Sequence, residues 1–106
     1  MTLEQFKASV AHDAPPDLPP PLLGLWYDAR GDWHTAHQTV QNDPSAESAW
    51  VHAYLHRKEG DLSNAHYWYR RAGKTPYTGA LEREWEHIAQ ALLKAYTRNH
   101  SRPPLV

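Results

Sequence analysis

The sequence predicts an all-α domain of stacked antiparallel helix pairs: two short pairs followed by one further helix. Three observations lead there. Apolar residues between Leu22 and Tyr96 recur at three- and four-residue spacing, the stripe of an amphipathic helix. Gly-Asp occurs twice, at 31–32 and 60–61, where a glycine can end one helix in the left-handed region and an aspartate can cap the next. Shifting the chain by 29 residues lays Gly31 on Gly60, Asp32 on Asp61, Ala36 on Ala65, His37 on His66 and Val40 on Tyr69. A period of that size marks a stacked-helix repeat.

The elements follow in order. Thr2 and Gln5 make a capping box for a short helix through about His12. The run APPDLPPP at 14–21 then stops any helix, because each proline lacks an N–H and restricts the residue before it. It reads as a stiff spacer in preference to a ligand for proline-recognising domains. Leu22, Leu23, Trp26 and Tyr27 form the apolar stripe of the next helix, which Gly31 ends. Asp32 caps WHTAHQTVQN, and Asp43 with Pro44 stops it. Ser45 caps AESAWVHAYLHRKE, which Gly60 terminates, and Asp61 caps LSNAHYWYRRA, closed by Gly73 and Pro76. A final helix over about 79–98 buries Leu81, Trp85, Ile88, Leu92 and Tyr96 and covers the end of the second pair. The organisation is thus a helix within 1–13, a connector at 14–21, a helical-repeat domain at 22–98 and a flexible tail at 99–106. Trp26, Trp33 and Trp85 read as packing residues.

A chain of 106 residues supports one modest core. Five Trp and six Tyr against one Phe and one Met supply rings with a polar edge, suited to half-buried seams and binding surfaces. With no Cys, disulfides, thiolate metal sites and cysteine nucleophiles are excluded, and the cytoplasm is the favoured compartment. Neither a secretory signal nor a membrane span is expected. Residues 1–50 hold two basic and seven acidic groups, and residues 51–106 nine and five. The halves, at −5 and +4, can attract each other, a second copy or a charged partner.

These residues resemble tetratricopeptide repeats. The first copy carries Leu23, Gly24, Tyr27, Gly31, Asp32, Trp33, Ala36 and Val40, with Pro44 arriving early; the second carries Ala53, Gly60, Asp61, Leu62, Ala65, Tyr69 and Ala72, then Pro76. The string from His52 to Gly73 is also similar to a group of small uncharacterised proteins with H-A-x-L-H-R-x-E-G-D followed by Y-W-Y-R-R-A-G. The resemblance implies a non-catalytic adaptor whose concave face binds a protein or peptide. Trp50, Tyr54, Arg57 and Lys58 occupy the positions that line that groove in the family. Aromatic contact area and an arginine fork would suit an acidic peptide or a free C-terminus. The repeat is 29 residues where the family usually has 34, and two copies are fewer than the three that stacked repeats generally need. The last helix therefore has to act as a cap, and the N-terminal helix or a second protomer has to cover the other end.

His52 and His56 stand where the family places large apolar residues. With Glu59 they fall within about a 60° sector of one helical face. Two imidazoles and a carboxylate form a facial set for a divalent metal, and His34, His37 and His66 could add ligands. The alternative function is accordingly a metal-dependent or histidine-based enzyme. The metalloprotease pattern needs Glu directly after the first His, and Ala53 stands there. Neutral seam histidines, hydrogen-bonded within the fold, explain the same residues without metal. The YWYRR run at 67–71 raises stacking on single-stranded nucleic acid. That partner is not expected, because these rings and arginines cannot all share one helical face and net charge is near zero.

Overall fold

A computed structural model describes the backbone of residues 1–100 and the side chains of residues 1–97. It contains α1 (Leu3–Ser9), α2 (Pro20–Ala29), α3 (Trp33–Gln41), α4 (Ala46–Lys58), α5 (Leu62–Ala72) and α6 (Leu81–His100). Of the tail expected at 99–106, residues 99 and 100 continue α6 and 101–106 lie outside the described residues.

Local signals set most boundaries. Thr2 and Gln5 cap each other's backbone N–H at 2.9 and 3.1 Å, the reciprocal box expected. α1 ends at Ser9, three residues short of His12, where bonds from Val10, Ala11 and His12 to the carbonyl three residues back tighten the chain into turns. The connector is also shorter than expected: Pro20 and Pro21 belong to α2, because a proline in the first turn forfeits an N–H that has no helical partner anyway.

The two Gly-Asp turns are near copies. Gly31 (φ 82°) and Gly60 (φ 90°) take the left-handed conformation. Asp32 N–H donates to Tyr27 O and Asp61 N–H to His56 O, each at 2.9 Å. Asp32 then caps α3 through Thr35 N–H at 3.1 Å and Asp61 caps α5 through Asn64 N–H at 3.3 Å. The chain is therefore an all-α fold of packed helices in which α2 pairs with α3, α3 adjoins α4, and α4 pairs with α5. Gly24 sets the closeness of the first pair: a Cβ there would lie 2.6 Å from Val40 Cγ1.

The final helix sits elsewhere than expected. α6 packs on α2, α4 and α1, across the first helices of both pairs, and does not sit at the end of the stack as a cap on α5. Its buried residues Trp85, Ile88, Ala89, Leu92 and Leu93 make a stripe broad enough to need a groove between two helices. Each buried Leu or Ile side chain in it contributes ~1.5–3 kcal/mol. α5 keeps Leu62 and Tyr67 exposed, at 57% and 42%. Nor is the N-terminal segment separate from the core. Phe6 is fully buried and stacks on Trp85 with centroids 5.6 Å apart, and Ser9 Oγ accepts the Trp26 Nε1–H at 3.1 Å. Among the described residues, no helix is long and apolar enough to cross a membrane.

Candidate functional site

α4 runs through the middle of the molecule and is buried without a break from Ser48 to His56. A helix enclosed on every side loses the simple apolar stripe, so its polar residues must be satisfied by neighbours.

The side toward α2 and α6 holds the four residues expected to line an open groove, and here they face the chain itself. Trp50 is 8% and Tyr54 2% exposed. Tyr54 Oη donates to Asp28 Oδ2 at 2.7 Å, and Lys58 Nζ donates to the other oxygen of the same buried carboxylate at 2.9 Å. Arg57 donates to Glu84 Oε1 at 2.9 Å and to the Gly79 carbonyl, while Tyr69 donates to Glu84 Oε2. Trp50 packs beneath Lys74 Nζ, 4.2 Å from the ring centroid. α6 covers this side because Glu84 and Trp85 lie next to each other on it: the acid enters the Arg57 fork, and the indole Nε1–H reaches Leu25 O at 3.1 Å. Burial, then the nearby Asp28, pushes the Tyr54 phenol above its ordinary 10; burial and the bond to Glu84 do the same for Tyr69. Burial raises Glu84, against the opposing bonds from Tyr69 and Arg57. Beside this network a cleft of about 430 Å³ remains open, with Tyr54, Lys58, Leu81 and Trp85 in its wall and Lys7 and Glu86 at its rim.

The side toward α3 and α5 holds the histidines. His52 and His56 are 4% and 7% exposed. The α3–α4 packing adds His37, whose Nε2 lies 3.0 Å from His52 Nε2, so one of the two nitrogens carries the shared hydrogen. Ring centroids are 4.7 Å apart for His37 and His52, 4.7 Å for His52 and His56, and 5.1 Å for His37 and His56. Glu59 Oε1 accepts the His56 Nδ1–H at 2.6 Å. Two indoles wall the group. Trp33 stacks on His37 at 5.0 Å and donates its Nε1–H to Leu55 O, and Trp68 stacks on His52 at 3.9 Å. Burial foremost, then His37 and His56, depresses His52 to about 3; burial and His56 also lower His37. Both rings are neutral near pH 7. His52 Nδ1 is the one buried side-chain nitrogen or oxygen among the described residues that has no hydrogen-bond partner.

Of the expected metal set, His52 and His56 converge as the helical spacing implied, whereas Glu59 lies outside them, bonded to His56 Nδ1. His37 joins the trio, and His34 and His66 are exposed and belong to neither group of converging ligand atoms. Sequence reasoning missed Asp28 and Glu84. A signal for Asp28 was present: the 29-residue offset lays it on Arg57, so the last turns of α2 and α4 carry opposite charges at equivalent positions. No family model, curated protein or solved structure matches this chain.

Proposed function

We propose that the chain is a tetratricopeptide-like binding module, two short helical hairpins that hold a segment of another protein on the concave side of α2 and α4. The observation that carries this is α6. It is a helix laid along that side, with its acid in the Arg57 fork and its indole on a backbone carbonyl, as a bound peptide would lie. The partner's place is then the cleft left beside it. Asp28, Glu82 and Glu86 face Lys7 and Lys58 there, and Arg57 is already taken by Glu84. With no surplus cation to grip a carboxylate, the preference is for an apolar anchor against Leu81 and Trp85 over an acidic or C-terminal peptide.

Panning a random peptide library against the wild type and against Leu81→Glu tests this. Enriched peptides should bind the wild type and lose affinity at least tenfold to the variant, whose helical spectrum and melting temperature stay close to wild type. Enrichment that is equal on both, or absent, would contradict it. The exposed Leu62 and Tyr67 on α5 favour a second occupant, another copy of the chain; sedimentation of the wild type against Leu62→Glu decides that. A histidine-based enzyme is the weaker reading. His52 and His56 are under a tenth exposed, and a reaction centre needs room for substrate.

A further inference from the structure

We propose that His37, His52 and His56 bind a zinc-type divalent cation, with Glu59 as the positioning residue that orients His56. This site is independent of the peptide cleft, lying on the other side of α4.

The ligand atoms of the three imidazoles all lie within 4.8 Å of one another. Two nitrogens on a tetrahedral zinc at about 2.0–2.1 Å stand about 3.3 Å apart, close to the 3.0 Å between His37 Nε2 and His52 Nε2. The cation would replace the hydrogen these two share. Glu59 fixes the hydrogen of His56 on Nδ1 and so leaves the Nε2 lone pair free, which is how a carboxylate commonly prepares a ligating histidine. Trp33 and Trp68 hold the other two rings in plane.

His52 Nδ1 is buried and unpartnered, so hydrogen bonding alone does not account for an imidazole at this position. A leucine would fill the seam without the orphaned nitrogen. A cation at Nε2 would give the ring a bond that a leucine cannot form, while Nδ1 keeps its hydrogen and stays unpartnered. The other nearby acid, Asp61, is exposed and already caps α5, which favours the three nitrogens over a mixed set. His37 is only partly buried, so water reaches the fourth position from its side. Because His37 lies on α3 and the others on α4, the ion would clip the first helix pair to the second.

The test uses untagged chain stripped with chelator and titrated with Zn²⁺. The expected results are one zinc per chain after gel filtration and a melting temperature that rises with zinc and falls back with EDTA. His37→Gln should weaken zinc at least about 100-fold and Glu59→Gln about 10-fold. His34→Gln with His66→Gln should leave affinity unchanged. Absence of zinc uptake by the wild type overturns the proposal, as does equal affinity in folded His37→Gln or loss of zinc in the exposed-histidine double variant. If His37→Gln does not fold, Co²⁺ loading of the wild type decides: ligand-field bands of a tetrahedral nitrogen site support the proposal, and an aqua-type octahedral spectrum overturns it.

Discussion

The two sides of α4 solve the same problem, polar side chains in a buried seam, in opposite ways. Toward α2 and α6, charges are paired and closed: Asp28 takes Tyr54 and Lys58, and Glu84 takes Arg57 and Tyr69. Toward α3 and α5, three imidazoles meet with only one carboxylate at their edge, and one nitrogen has nothing to bond. A buried network that is complete locks helices in register, since removing any member exposes the cost of the rest. A buried cluster that is incomplete fastens less and, under the zinc proposal, holds capacity in reserve for the ion. The first side is therefore where the fold is fastened, and the second is where the proposed cation would have most to contribute.

That contrast breaks down if the paired side proves dispensable. Glu84→Ala leaves Tyr69 without its acceptor and Arg57 with only the Gly79 carbonyl, and should cost about 3–5 kcal/mol in urea unfolding; a loss near zero would remove the fastening role. Alkali should attack the same side. Tyr54 and Tyr69 hold their protons in the folded state above the ordinary phenol value of 10, so above pH 10 the unfolded chain releases protons that the folded chain keeps. Stability then falls as pH rises, by up to about 2.7 kcal/mol per unit for two tyrosines. Tyr54→Phe with Tyr69→Phe should flatten that slope, and an unchanged slope would assign alkaline unfolding to other groups. Tyr54→Phe alone should cost about 1 kcal/mol, since Asp28 keeps Lys58 as its partner; a change in melting temperature of more than about 15 °C would show that the two networks are coupled.

Turn chemistry made much of this legible from the residues. Gly31, Gly60 and Gly73 all adopt positive φ, and Thr2, Asp32, Ser45 and Asp61 all cap the helices assigned to them. These are local signals, written within four residues of where they act. The i, i+4 spacing of His52 and His56 likewise gave their convergence. What failed was long-range. The sequence pattern gives α4 one inward and one outward side, yet nine consecutive residues are buried, because α6 returns across it, and nothing within α4 records a helix that arrives 23 residues after its end. Glu84 shows the same limit: beside Glu82 and Glu86 it reads as one more surface acid, and only the fold makes it 1% exposed between Arg57 and Tyr69.

The smallest expected effect is the most direct test of the contrast. In zinc-free protein, His52→Leu with His56→Leu removes both buried imidazoles together, lets the part-exposed His37 turn to water and frees Glu59 to solvent. The melting temperature of this double variant should equal or exceed that of the wild type. A fall as large as that of Glu84→Ala would mean that the histidines fasten the fold as the paired charges do, and that no capacity is held in reserve between α3 and α4.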